Sequence, residues 1–177
     1  MSDDTQTCIG LMSGTSSDAI DAVLIEIADK GRKVQVIATH SEPIEPTLQE
    51  KIRTVSSGED DRIDTVHALD TALAEQFAKA ANQVVEKTIR REDIAVIGSH
   101  GQTVRHRPEG PFPFSLQLGS GALIAARTGI TTIADFRSGD IAVGGQGAPL
   151  VPAFHEVMFR SPTVNRAIVT IGWIANL

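Results

Sequence analysis

The sequence contains a single cysteine among its 177 residues, Cys8, so an internal disulfide is impossible. Cys8 lies in an apolar run, where a buried free thiol is the usual arrangement. The polar, acidic start of the chain lacks the basic and apolar regions of a signal peptide, and no apolar run is long enough to span a bilayer. These absences predict a reducing compartment and a cytoplasmic protein.

Positive charge is also scarce. Sixteen Lys and Arg residues stand against 22 Asp and Glu residues, giving a net charge of −6. Nucleic acids and anionic membranes bind cationic surfaces, so we expect neither to be a partner. The apolar fraction of 41% and the charged fraction of 21% are ordinary for a globular chain, and the length suits one domain with a sizeable core.

Several common catalytic signatures are missing from the sequence. It has no GxxxxGK[ST] loop, no GxGxxG fingerprint and no GxSxG nucleophile elbow, which excludes the usual P-loop, dinucleotide and hydrolase patterns. No second His or Cys stands at ligand spacing from His100, so we predict no protein metal site there. Phosphoryl transfer by this chain would need a different phosphate loop.

The apolar periodicity predicts a mixed α/β fold, with a ribonuclease-H-like sheet flanked by helices. It begins with three strands in an antiparallel meander, at residues 7–12, 19–27 and 33–39. Later elements alternate: helices at 48–55 and 63–90, a buried parallel strand at 94–97, a strand at 114–118, a helix at 120–129, a strand at 130–134, a helix at 150–159 and a strand at 166–171.

Residues 9–18 run from an apolar strand into small hydroxyl-bearing residues and an acid. Glycine lets the backbone approach a ligand, and hydroxyl and amide groups can donate to phosphate oxygens. Asp18 or Asp21 could orient a magnesium shell. The alternative is an ordinary hairpin turn, because Ser-Gly and Ser-Asp pairs are common turn formers.

Two further polar segments, residues 99–103 and 135–147, are expected at strand ends. Ligands of open α/β sheets bind at the carboxyl ends of strands, so these segments and residues 13–18 are predicted to converge on one site. His100 and Gln102 can each donate and accept hydrogen bonds, as recognition of sugar hydroxyls requires. Alternatively, they form a hydrogen-bond network that only stabilises the structure. The Asp135 carboxylate suits a substrate hydroxyl or a metal, and the Arg137 guanidinium suits a carboxylate or a phosphate. Alternatively, the two side chains form a buried ion pair with each other.

Three motifs together resemble the anhydro-N-acetylmuramic acid kinases: MSGTSSD at 12–18, GSHGQT at 98–103, and DFR at 135–137 followed by GGQGAPLVPA at 144–153. The resemblance covers nearly the whole chain. It implies the sugar kinase, heat-shock protein and actin superfamily, with two lobes closing over ATP and Mg²⁺. It also implies ATP-dependent phosphorylation of 1,6-anhydro-N-acetylmuramic acid on its 6-oxygen, with water attack at C1 opening the anhydro ring. The product is N-acetylmuramic acid 6-phosphate, in peptidoglycan recycling.

The resemblance also assigns two sets of site residues. The nucleotide phosphate segment comprises Gly14, Thr15, Ser16, Ser17, Asp18, Ala19, Ile20 and Asp21. The sugar side comprises His100, Gln102, Asp135, Arg137 and Gln146.

The chain departs from the family pattern at Ala19 and Trp173, where glycine is usual. The aspartate proposed as general base in the family would lie beyond Leu177, so no catalytic residue is assigned within residues 1–177. These residues are expected to be an N-terminal lobe, very slow or inactive alone. The unpaired apolar strand near its end favours association, such as a homodimer. Alternatives are a silent sugar- or nucleotide-binding or interaction lobe, and a kinase for another amino sugar.

Overall fold

The computed structural model describes residues 5–86, 88–171 and 175–176. Six strands form one sheet: β1 (Gln6–Ser13), β2 (Ala19–Ala28), β3 (Lys33–Pro43), β4 (Ile94–Arg107), β5 (Phe114–Leu118) and β6 (Thr132–Ile133). Five helices accompany it: α1 (Pro46–Ser57), α2 (Ile63–Val85), α3 (Gly121–Thr128), α4 (Phe136–Ala142) and α5 (Pro152–Phe159). A separate pair of short strands, β7 (Thr170–Ile171) and β8 (Ala175–Asn176), lies near the end of the chain.

The sheet has the order β3-β2-β1-β4-β5, and β6 pairs with β4. Strands β1, β2 and β3 form the predicted antiparallel meander, while β4 runs parallel to β1 and β6 parallel to β4. The prediction of a mixed sheet flanked by helices is therefore confirmed. Within the described residues, no helix has the length and apolar character needed to cross a bilayer.

The core lies between one face of the sheet and helix α2. Alternate residues of β1 and β2, including Ile9 and Leu24, are buried against a helical stripe in which Leu73 and Phe77 are fully buried. Burying a large apolar side chain stabilises a fold by about 1.5–3 kcal/mol, so this interface anchors the strands of the meander. α2 ends at Val85, where Glu86 leaves the helical conformation with ψ 122°. The sequence predicted a later end because Ile89, in the following turn, also packs on the core and so continues the apolar pattern.

Strand β4 corrects the prediction of a short strand at 94–97 followed by a polar loop. It continues for 14 residues, because its second half pairs with β5 in an antiparallel hairpin. Opposite β1, Leu11 pairs with Ser99 but Ser13 pairs with Gln102, so β4 carries one extra residue there. This β-bulge contains Gly101, with φ +73°. A Cβ on Gly101 would lie 2.6 Å from the carbonyl oxygen of Leu118, which explains the glycine.

Two other elements differ from the predictions. Residues 136–142 form helix α4, not a loop, and Asp135 before it adopts φ +59°. The strand predicted at 166–171 is limited to Thr170–Ile171, which pairs with β8 and not with the main sheet. A strand needs a ladder partner, and within the described ranges residues 166–169 have none.

Candidate functional site

The predicted phosphate segment forms a tight turn at the carboxyl end of β1. The N–H of Ser17 donates to the carbonyl oxygen of Gly14 at 3.1 Å, and Ser17 is buried with φ +54°. Thr15 and Ser16 are exposed at the tip of this turn. We call residues 14–17 the phosphate turn. This turn presents main-chain and hydroxyl groups at the sheet edge where ligands of α/β proteins bind.

Two carboxylates follow the phosphate turn, and both are exposed. Asp18 accepts hydrogen bonds from the Ser16 hydroxyl at 2.7 Å and from the Ala19 N–H at 3.0 Å. The bond from Ser16 is the main cause that holds the pKa of Asp18 below its ordinary value, so this carboxylate is ionised near neutral pH. Asp21 accepts a hydrogen bond from Ser41 at 2.8 Å.

The structure explains one departure from the family pattern and limits one predicted contact. Ala19 begins β2 and is not among the residues with positive φ, so alanine is compatible with its backbone. Ile20 is fully buried in the core, and only its main chain is available to a ligand.

Two positions of the sequence-based interpretation, Trp173 and Leu177, lie outside the described residues. Trp173 is the second departure from the family glycines, and Leu177 is the position beyond which the general-base aspartate is expected. The assignment of that base therefore stays a prediction.

His100 and Arg137, both assigned to the sugar side, are in direct contact. The Nε of Arg137 donates to Nε2 of His100 at 3.0 Å, and Nδ1 of His100 lies 2.9 Å from the carbonyl oxygen of Gly101. These partners require the tautomer that is protonated at Nδ1. Burial is the main cause that lowers the pKa of His100, opposed by the bond to Gly101 and reinforced by the Arg137 charge. The imidazole is therefore neutral near pH 7.

Gln102 is also on the predicted sugar side, but it is buried. Its Oε1 accepts a hydrogen bond from the Ser13 hydroxyl at 2.6 Å, and its Nε2 donates to the carbonyl oxygen of Thr103 at 3.2 Å. Ser13 and Gln102 are each only 2% exposed. Gln102 therefore connects β4 to the residue that precedes the phosphate turn.

Six of the predicted site residues line two clefts rather than one, and Asp135, Arg137 and Gln146 line neither of the two. A cleft of about 730 Å³ between α1 and the second half of β4 is lined by the phosphate turn from Thr15 to Ser17 and by Gln102. A second cleft, of about 510 Å³, lies on the face of the sheet away from α2 and is lined by Asp21, His100 and Phe136. The bulge in β4 causes this division, because it turns His100 and Gln102 toward opposite faces of the sheet.

Paired glycines form the floor of the second cleft. Gly10 on β1 is the partner of Gly98 on β4, and both line this cleft. A Cβ on Gly98 would lie 3.6 Å from the Phe136 ring, and one on Gly10 would lie 3.1 Å from a Val23 methyl group. The absence of side chains at these two positions lets the Phe136 ring and the Val23 methyl group lie close to the strand backbone in this cleft.

Asp135 and Gln146 are both exposed, and Gln146 lies in a loop held by Asp140. The carboxylate of Asp140 accepts a hydrogen bond from the N–H of Gly147 at 2.7 Å. Among ion pairs of the described residues, none joins Asp135 to Arg137, so the buried pair considered from the sequence is not formed. Sequence reasoning missed Asp140 and Phe136, although an acid four residues before a glycine-rich loop is a candidate anchor for that loop.

Residues 6–177 match the family model described as "Anhydro-N-acetylmuramic acid kinase". The chain belongs to this family. Curated relatives with that name include one from Coxiella burnetii (strain Dugway 5J108-111), 49% identical over 170 residues that cover 96% of this chain and 45% of the relative. Another, from Shewanella sp. (strain ANA-3), is 49% identical over 170 residues, covering 96% of this chain and 46% of the relative. The chain thus spans about half the length of the curated relatives it matches.

The family description names a kinase, and kinases transfer a phosphoryl group from a nucleotide with the help of Mg²⁺. No group of three His, Cys, Asp or Glu side chains that could hold a metal ion occurs in the described part of the chain. Magnesium bound with a nucleotide needs only one or two protein carboxylates, because phosphate oxygens and water supply the other ligands. Asp18 and Asp21, exposed after the phosphate turn, are suitable donors.

Proposed function

We propose that this chain is the N-terminal lobe of a two-lobed kinase that phosphorylates 1,6-anhydro-N-acetylmuramic acid at its 6-oxygen with ATP. In this reaction water attacks C1 and opens the anhydro ring, giving N-acetylmuramic acid 6-phosphate for peptidoglycan recycling. The observation that carries the proposal is the family match, which extends over residues 6–177. The mixed sheet, with its antiparallel meander followed by a parallel strand, supports a ribonuclease-H-like lobe of the sugar kinase, heat-shock protein and actin superfamily.

The nucleotide phosphates are assigned to residues 14–21. Exposed Thr15 and Ser16 offer hydroxyl and main-chain donors, and the buried Ser17 fixes the turn. An ionised Asp18 would repel phosphate in the absence of a cation, which favours Mg²⁺ bound with the nucleotide. Asp18, beside the phosphate turn, or Asp21, in the second cleft, would hold this ion. Bound Mg²⁺ would supply neutralisation of the phosphate charge during transfer.

The sugar is assigned to the cleft that His100 lines, with Arg137 beside it. Burial lowers the pKa of Arg137, so an anionic ligand would compensate for the desolvated guanidinium. A muramic acid carries a carboxylate on its lactyl group, which matches the planar donors of arginine. Asp135 and Gln146, exposed at the start of α4 and in the following loop, are assigned to the sugar hydroxyls on the family resemblance.

His100 is a poor candidate for the base that activates water. Its Nε2 already accepts a hydrogen bond from Arg137, and its Nδ1 is bound to the Gly101 carbonyl. A general base needs a free lone pair within hydrogen-bond reach of the water. We therefore assign His100 to orienting Arg137, and we expect the base to come from the part of the kinase that follows the position of Leu177 in the relatives.

A chimera tests the proposal directly. In it, this chain replaces the corresponding 170 residues of the Coxiella burnetii relative. We expect the chimera to convert ATP and 1,6-anhydro-N-acetylmuramic acid to the 6-phosphate, detected by mass spectrometry, and the Arg137→Ala chimera to lose most of this activity. A folded chimera that binds neither substrate would contradict the proposal. The relative's own full-length protein is the control for the assay.

Two alternatives give different results in the same experiments. The first alternative is a silent sugar- or nucleotide-binding lobe. It would bind the sugar or the nucleotide without supporting turnover in the chimera. A kinase for another amino sugar would phosphorylate a different member of a substrate panel.

A further inference from the structure

We infer that Gln102 is a positioning residue for the phosphate turn, acting through Ser13, and not a contact to the sugar. Here this pair is called the Ser13–Gln102 tether. The inference rests on the proposed function, since it takes the turn at residues 14–17 as the place where nucleotide phosphates bind. It changes the role of a residue that the family resemblance assigned to the sugar side.

The geometry of the tether is that of a strong buried hydrogen bond. The Ser13 hydroxyl donates to Gln102 Oε1 over 2.6 Å, and each residue is 2% exposed. Ser13 is the last residue of β1, directly before Gly14. Water does not reach this bond, so removing either partner leaves a buried polar atom without a substitute. The tether therefore fixes the residue that directly precedes the turn to β4.

The bulge in β4 makes the tether possible. In a regular register, Gly101 would stand opposite Ser13, because Leu11 pairs with Ser99. The extra residue brings Gln102 opposite Ser13 instead and keeps its side chain on the buried face of the sheet. The same bulge presents His100 to the other cleft. One local irregularity thus serves both halves of the proposed site.

The burial of Gln102 argues against a direct sugar contact. Its Oε1 is bonded to Ser13 and its Nε2 to the carbonyl oxygen of Thr103, and only 2% of the residue is exposed. The remaining N–H and lone pair of the amide therefore lie inside the protein, where a sugar hydroxyl does not reach them without a rearrangement. The neighbouring His100 is on the more accessible side of the strand and lines the second cleft.

Amide hydrogen exchange of Ser17 is the first test, because its N–H closes the phosphate turn by donating to Gly14. In this chain, Ser13→Ala and Gln102→Leu should each speed Ser17 exchange by about 5- to 30-fold, the effect of losing one buried hydrogen bond. The double variant should exchange no faster than either single variant, because both remove the same bond. Ser13→Thr keeps the hydroxyl and should stay near the wild-type rate.

Thr128→Val is the matched control. Thr128 is fully buried, and its hydroxyl donates to the carbonyl oxygen of Ile124 at 2.8 Å, so this variant also loses a buried hydroxyl bond, but in α3. Ser17 exchange should be unchanged in it. An equal acceleration in Thr128→Val would show a general loss of stability and would overturn the tether as a local device.

Ligand titrations of the same variants separate the two assignments of Gln102. If it positions the turn, Ser13→Ala and Gln102→Leu weaken binding of Mg²⁺ and ATP by a similar factor and leave affinity for the anhydro sugar unchanged. Weaker sugar binding in Gln102→Leu alone, with normal Ser17 exchange, would overturn the inference. If the wild-type chain binds no Mg²⁺ and ATP, the proposed phosphate assignment fails for this chain, while the exchange rates still decide whether the tether orders the turn.

Discussion

Arg137 and His100 form one polar unit in which Nε of the arginine donates to Nε2 of the imidazole at 3.0 Å. The other ring nitrogen is bonded to the Gly101 carbonyl at 2.9 Å, in the bulge of β4. The arrangement requires a neutral imidazole, because a proton on Nε2 would remove the acceptor and place two positive charges in contact. The position of Arg137 is therefore sensitive to a single proton.

Stability should fall in mild acid because of His100. Burial holds its folded pKa below the unfolded value of about 6.5, so the unfolded chain binds the proton more tightly. The contribution of the neutral imidazole is complete above about pH 6.5 and is lost as the pH falls through the folded pKa. Urea unfolding at pH 7.5, 6.5 and 5.5 should show this decrease. In His100→Gln the decrease should be clearly smaller; an identical pH profile would contradict the assignment.

Arg137→Lys should weaken sugar binding almost as much as Arg137→Ala. Lysine keeps the charge but lacks the planar donors that both hold His100 and engage a carboxylate. Loss of a charge-assisted hydrogen bond costs about 1.5–3 kcal/mol, or roughly 10- to 150-fold in affinity. Calorimetric titration of the chain with the anhydro sugar measures this. Arg160→Ala, an exposed arginine paired with Glu156 on α5, is the control and should bind normally.

Cys8 should react slowly with thiol reagents in the folded chain. It is a buried free cysteine, and burial raises the pKa of its thiol, so little thiolate is present near neutral pH. A chromogenic disulfide reagent should modify it at least about tenfold more slowly than in the urea-unfolded chain. Equal rates in the two states would show that β1 opens readily and would contradict the packing described here.

The elements with strong apolar periods were predictable from the sequence. The apolar stripe within residues 63–90 predicted helix α2, and the strand signals at 7–12, 19–27 and 33–39 predicted the antiparallel meander. Strand β4 was only partly predictable, because its polar second half is stabilised by pairing with β5 and not by its own pattern. Helix α4 was missed for a related reason, since the mixed composition around Gly139 has no helical apolar stripe.

The candidate site shows the same limit. The motifs containing Thr15, His100 and Arg137 were visible in the sequence, and the contact of His100 with Arg137 brings two of the predicted sugar residues together. The division into two clefts was not predictable, because it depends on a one-residue bulge in β4. The bulge changes the face of the sheet toward which the following side chains of β4 point. Gly101 was the available signal, as an isolated glycine inside a strand pattern often marks a bulge.

Gly101→Ala tests how strongly that bulge determines the fold and the site. A non-glycine residue at φ +73° costs about 1–2 kcal/mol by itself, and the added Cβ would also meet the Leu118 carbonyl oxygen at 2.6 Å. Gly110→Ala is the matched control, because Gly110 has φ +100° with nothing within 4 Å of an added Cβ. In urea unfolding, Gly101→Ala should lose at least about 1 kcal/mol more unfolding free energy than Gly110→Ala, since backbone must move to relieve the contact.

Gly101→Ala should also break the Ser13–Gln102 tether and the His100–Arg137 bond together. The measurements that show this are faster Ser17 exchange and weaker sugar binding. Equal losses of stability in the two variants, with normal Ser17 exchange, would mean that β4 accommodates the side chain without giving up the bulge.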